Sequence, residues 1–111
     1  MSTNFNIIQG DKWSLDIAYT TEDNQPINIS NYTIIAEVRN KPGGNIICAT
    51  VTTGDGITMV DDGNYNRFIM TFTGEKTSKF TYPRAAYQVK IQDTEDTLLD
   101  GWLEVNAGVV N

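Results

Sequence analysis

Ala86-Tyr87-Gln88-Val89-Lys90-Ile91-Gln92-Asp93 alternates without a break between side chains that avoid water and side chains that seek it. In an extended chain successive side chains point to opposite faces, so Tyr87, Val89 and Ile91 share a dry face and Gln88, Lys90 and Gln92 a wet one. The same period of two recurs on both sides of this stretch. Downstream, the turn Thr94-Glu95-Asp96-Thr97 leads into Leu98 to Asn106. Upstream, Pro83 restarts extended structure after residues 74 to 81, which lack alternation and can hold one helical turn. Before them, Tyr65 to Thr73 places Phe68, Met70 and Phe72 on one face.

The first half of the chain repeats the pattern. Lys12 to Thr20 puts Trp13, Leu15, Ile17 and Tyr19 opposite Ser14, Asp16 and Ala18, and a short extended piece, Phe5 to Gln9, precedes it. Ile27 to Ser30 reads as a short strand or bridge. Tyr32 to Arg39 opposes Ile34, Ala36 and Val38 to Thr33, Ile35, Glu37 and Arg39, the two charges marking the wet side. Asn40-Lys41-Pro42-Gly43-Gly44 supplies a fixed φ at Pro and access to positive φ at Gly, which predicts a hairpin into Asn45 to Thr53. Ile57 to Val60 follows Gly54-Asp55-Gly56. Turn chemistry every eight to twelve residues between short alternating runs predicts an all-β fold, an Ig-like antiparallel β-sandwich of about seven or eight strands. The conserved-position hallmarks of antibody domains are missing, because one cysteine forms no inter-sheet disulfide and Trp13 comes too early for the usual core tryptophan.

Composition agrees with a single domain over 1–111, since 111 residues have room for one hydrophobic core and no repeat or linker interrupts them. With 40% apolar residues the chain is too hydrophobic to stay disordered. It has no histidine and one cysteine, Cys48, so no imidazole acid–base pair, His-ligated metal or internal disulfide can be assembled. A net charge of -6 is the wrong sign for gripping phosphates, and no nucleic-acid partner is expected. The longest apolar run is Ile46 to Ala49, so neither a membrane-spanning helix nor a secretory leader is expected. These observations predict a non-enzymatic module with no cofactor.

Three stretches carry a resemblance. Ile7-Ile8-Gln9-Gly10-Asp11, then Gln25-Pro26-Ile27-Asn28-Ile29-Ser30-Asn31-Tyr32 before a strand ending in Val38-Arg39, and finally Tyr87-Gln88-Val89-Lys90-Ile91 with Leu98-Leu99-Asp100-Gly101-Trp102-Leu103-Glu104-Val105 resemble the N-terminal Ig-like modules of tailed-bacteriophage virion proteins. Such modules occur in baseplate, neck and tail-fibre-attachment proteins. The resemblance implies a structural virion component, assembled in the host cytoplasm, whose partners are other virion proteins. It further implies a homo-oligomer or multiple copies on a symmetric ring, and no catalytic residues.

Several groups of side chains are candidates for function. Asp55, Asp61, Asp62 and Asn64 offer oxygen ligands of the kind calcium takes, but their spacing is not that of an EF-hand and Asp-Gly is ordinary turn chemistry. No metal site is expected. Asp93, Glu95, Asp96 and Asp100 form an acidic cluster that could steer docking to a basic partner. Two registers are open for the last strand. In one, Leu99, Gly101, Leu103 and Val105 face the core and Trp102 and Leu98 point out; in the other, Trp102 is buried, or a bulge at Gly101 accommodates both. The first makes Trp102, Leu98 and Ile35, with Ile46, a subunit contact, because large apolar groups on a wet face mark interfaces. The apolar tail residues Val109 and Val110 join that candidate interface, and Phe5 to Gln9 or 107 to 111 could add a strand to a neighbour. An alternative is a binding module for a host glycan or protein using Tyr65, Arg67, Tyr82 and Arg84. A small phage accessory protein is a third reading.

Overall fold

The computed structural model describes residues 3–23, 25–61 and 63–107. Val109 and Val110, the rest of the proposed C-terminal strand beyond Ala107, and Asp62 lie outside the described residues. The chain is all-β: β1 (Phe5–Ile8), β2 (Trp13–Ala18), β3 (Ile34–Arg39), β4 (Ile47–Thr53), β5 (Gly56–Met59), β6 (Arg67–Phe72), β7 (Arg84–Ile91) and β8 (Asp96–Asn106), with one helical turn, α1 (Gly74–Thr77), between β6 and β7. Ile27 to Ser30 forms no strand; an isolated bridge joins Thr20 and Pro26 instead, and Ile29 is fully buried all the same.

The eight strands make one continuous sheet in the order β1-β8-β7-β3-β4-β5-β6-β2. The expected purely antiparallel pairing is corrected at two places. β1 runs parallel to β8, pairing Phe5 with Leu103 and Ile7 with Val105, because β1 continues through Gly10 into β2 at the opposite edge and has no hairpin partner. β4 and β5 are also parallel, through the pairs Thr52 with Gly56 and Thr53 with Ile57 only. A tight loop closes that join, with reciprocal bonds between Thr52 and Asp55, and both Gly54 and Gly56 adopt positive φ. All other neighbours are antiparallel.

Alternation places the core where the sequence predicts it. Ile34, Ala36 and Val38 of β3, Tyr87, Val89 and Ile91 of β7, Phe68, Met70 and Phe72 of β6, and Leu103 and Val105 of β8 are all buried. The sheet curls until its edges approach each other. Trp13 of β2 stacks on Phe72 with centroids 5.5 Å apart, meets Phe5 of β1 at 5.8 Å and Tyr87 of β7 edge-on at 6.0 Å. α1 is capped by Thr73, whose side chain accepts from the Lys76 amide. Its buried Thr77 accepts the Gly10 N–H at 3.1 Å and lies 2.8 Å from the Asp11 carbonyl, which ties α1 to the bend between β1 and β2. Among the described residues no helix is long and apolar enough to cross a membrane.

Candidate functional site

The outer face of β3, β7 and β8 carries the polar halves of three alternating strands. Register places Arg39 beside Ala86 and Ala86 beside Trp102 in one row, and Glu37 beside Gln88 and Gln88 beside Asp100 in the next. Trp102 therefore stands on the outside, and Leu103 and Val105 point into the core, as in the first of the two registers, but Leu98, placed outside by that register, packs partly buried against the core. The bulge that adjusts β8 sits at Leu98, between the pairs Val89 with Leu99 and Lys90 with Thr97, and not at Gly101. Gly101 has another task. A Cβ there would collide with the Thr3 carbonyl, so the missing side chain lets the N-terminal segment cross β8 closely. The Thr3 N–H bonds to the Asp100 carbonyl at 2.8 Å, and Asn4 Oδ1 accepts the Trp102 amide at 2.9 Å.

Small Ala86 between two large neighbours leaves a concavity of about 370 Å³. Trp102, Gln88, Lys90 and Asp100 line it on one side and Glu37, Arg39 and the turn Lys41-Pro42-Gly43 on the other. Its walls are held by bonds that the sequence does not reveal. Arg39 donates to the Gly44 carbonyl at 2.7 Å, which pins the hairpin turn over the sheet, and pairs with Glu37 at 3.4 Å. Behind Trp102, the Arg84 guanidinium lies 4.2 Å from the ring centroid and pairs with Glu104 at 3.4 Å. Below the floor, burial and the nearby Asp100 carboxylate push the Tyr87 phenol up to about 12. Its hydroxyl donates to the Thr3 carbonyl at 2.5 Å.

The candidate residues read from the sequence do not gather into one place. Ile35 lies on the outer face beside Lys90, whereas Trp102 lies beside Ala86, four residues along β7 and so about 13 Å away. Leu98 packs, partly buried, against the core. Trp102, Leu98 and Ile35 thus form no continuous apolar patch; the strand between the two outer residues carries Gln88 and Lys90. The most exposed large apolar side chains among the described residues lie instead near the start of β4 and before β7, at Ile46 (63% exposed), Ile47 (49%) and Tyr82 (61%), while Ile8, Ile69 and Tyr32 are exposed singly elsewhere. A Cys48 to Thr81 contact of 3.4 Å brings these two segments together. Of Ile46, Ile47 and Tyr82, the first alone entered the sequence reading as an interface residue.

The acidic cluster also divides. Asp93 accepts the Thr33 amide at 2.6 Å, which joins the end of β7 to the start of β3. Asp96 accepts the Thr94 hydroxyl, and Glu95 takes the positive φ of the turn, at 62°. Asp100 alone reaches the concavity. Tyr65 and Arg67 lie at the start of β6, where Arg67 pairs with Asp16 at 2.6 Å, while Tyr82 and Arg84 lie at the start of β7, which is not a neighbour of β6. Among the described residues, no three Cys or acidic side chains converge as metal ligands. Compared with known protein families and with curated proteins, the chain has no match.

Proposed function

We propose that this chain is a non-enzymatic structural module of a tailed-phage particle, at the tail, neck, baseplate or fibre-attachment region, that assembles through an apolar end of its sheet. The observation that carries the reading is that Ile46, Ile47 and Tyr82, the most exposed large apolar side chains among the described residues, belong to two segments that the Cys48–Thr81 contact brings together. Scattered single apolar residues are ordinary on a surface, whereas a group brought together by tertiary structure costs solubility and needs a partner. The resemblance of Ile7 to Asp11, Gln25 to Tyr32 and Leu98 to Val105 to Ig-like virion modules supports the same assignment.

The strand order supports the finer, immunoglobulin-like description of the fold. Only two residue pairs join β4 to β5, so the sheet divides there into a half of β1-β8-β7-β3-β4 and a half of β5-β6-β2. Aromatic contacts between residues of the two halves support reading them as the two layers of a sandwich.

Light scattering on the full chain and mass spectrometry of particles purified from the encoding virus test this reading. The wild type is expected in particles, and as an oligomer either alone or with a particle protein. Ile46→Asp with Ile47→Asp is expected to leave the β circular-dichroism spectrum intact and to abolish both. A wild-type chain that stays monomeric and is absent from particles overturns the proposal.

A further inference from the structure

We propose that the concavity on the outer face of β3, β7 and β8 is a binding site for a neutral saccharide, with Trp102 as its stacking platform. This inference concerns a surface that adjoins the apolar end, since Arg39 pairs with Ile47, but it does not depend on the particle reading. Three properties of the site carry it.

The first is an aromatic ring prepared for a ligand. Trp102 lines the concavity, while Arg84, stacked 4.2 Å from the ring centroid, stands outside the lining and is itself tethered to Glu104. The guanidinium lies over the indole and holds its orientation, and the ring, as part of the lining, borders the same space as Ala86, Gln88 and Asp100. The electron-rich face of an indole attracts the polarised C–H groups on the flat side of a pyranose, much as it attracts a cation. The second is shape. Ala86 is the small residue in the row Arg39-Ala86-Trp102, and the resulting space of about 370 Å³ is at the lower end of the range for small-molecule sites, roughly 300–1,000 Å³.

The third is the pattern of polar groups. Lys90 donates, Asp100 accepts, Gln88, whose amide nitrogen already donates to the Thr97 hydroxyl at 3.1 Å, keeps its carbonyl and second amide hydrogen, and the Arg39–Glu37 pair presents both functions at the far wall. Adjacent hydroxyls of a sugar both donate and accept, so they suit a lining of this kind. A strongly charged ligand does not, because Asp100 and Glu37 stand among Arg39, Lys41 and Lys90 and either sign meets its own.

The test is an ¹⁵N–¹H NMR titration of the full chain with chitotriose, maltotriose and lactose, with a poly-glutamate peptide as the charged alternative. At least one of the three sugars is expected to bind with a Kd on the order of 1 mM, as suits a shallow site with one platform, and to shift the Trp102 indole N–H and the Gln88 and Asp100 amides. Trp102→Ala is expected to weaken binding more than about tenfold. Ala86→Leu fills the floor with the indole intact and is expected to have the same effect, which keeps the proposal testable if Trp102→Ala misfolds. Asp100→Asn is expected to lose roughly tenfold, whereas Ile46→Ser leaves affinity unchanged. No shift with any sugar, shifts located elsewhere, binding that survives Ala86→Leu, or binding of poly-glutamate alone each overturns the proposal.

Discussion

Tyr87 shows how one side chain joins parts of the chain that local reasoning treats separately. Its place on the dry face follows from alternation with Val89 and Ile91. Its partners do not, since Thr3 is 84 residues away and its backbone comes this close to β8 because Gly101 has no side chain. Burial holds the phenol neutral and Asp100 adds to the effect, so its pKa rises from 10.0 to about 12. Below pH 10 the folded and unfolded chains both carry the neutral phenol, and the full contribution is present. As pH rises from 10 to 12 the unfolded chain loses this proton first, and stability falls, by about 1–2 kcal/mol once solvent screening of the partly solvated phenol is counted. Urea unfolding at pH 9, 10, 11 and 12 is expected to show this loss in the wild type and to lack that component in Tyr87→Phe. Parallel pH profiles for the two proteins would contradict the assignment. Trp102 was legible only as a choice between two registers. The choice is made by the pairing of Leu103 with Ala85 and Phe5, which commits Leu103 to the core and leaves Trp102 outside.

Among the elements, α1 is the least strand-like piece and the most dependent on its surroundings. A single turn of helix is not stable alone, because nucleation is unfavourable and few bonds reward it. Thr77 supplies what the turn lacks. Fully buried, its hydroxyl accepts from Gly10 and is placed to donate to Asp11, so α1 and the β1–β2 bend hold each other. Thr77→Val keeps the shape and removes the hydroxyl, leaving a backbone N–H and a carbonyl without partners. It is expected to cost about 2–3 kcal/mol in chemical denaturation, and hydrogen exchange at Gly10 is expected to accelerate. The absence of alternation over 74–81 allowed a helical turn to be read there. The Thr77 bonds were not legible, since threonine in a polar stretch looks like any solvated residue until the fold encloses it. The β4–β5 join was missed for a similar reason. Gly54-Asp55-Gly56 signals a turn, but turn residues alone do not say whether the next strand returns antiparallel or steps sideways and continues in parallel.

At the scale of the molecule, stability depends on bringing β1 and β2, the two ends of the sheet order, close enough to bury their aromatic residues. Phe5, Trp13, Phe72, Phe80 and Tyr87 form a continuous group of ring contacts with centroids 5.5 to 6.0 Å apart. Trp13→Ala is expected to destabilise by about 3 kcal/mol through lost burial and the cavity left behind. In a double-mutant cycle with Phe5→Ala the coupling is expected to be about 1 kcal/mol, because each ring closes the same seam. Additive effects would mean that the edges do not support one another. Period-two alternation, read over short windows, suffices for the all-β class, most strand positions and the identity of the core, since each strand's inward and outward faces are local properties of the extended chain. The parallel β1–β8 pairing, the division of the acidic cluster, the apolar group at Ile46, Ile47 and Tyr82, and the concavity beside Trp102 arise only when the sheet closes. They depend on residues far apart in the chain becoming neighbours, and a pattern confined to one strand carries no record of which strand will lie beside it.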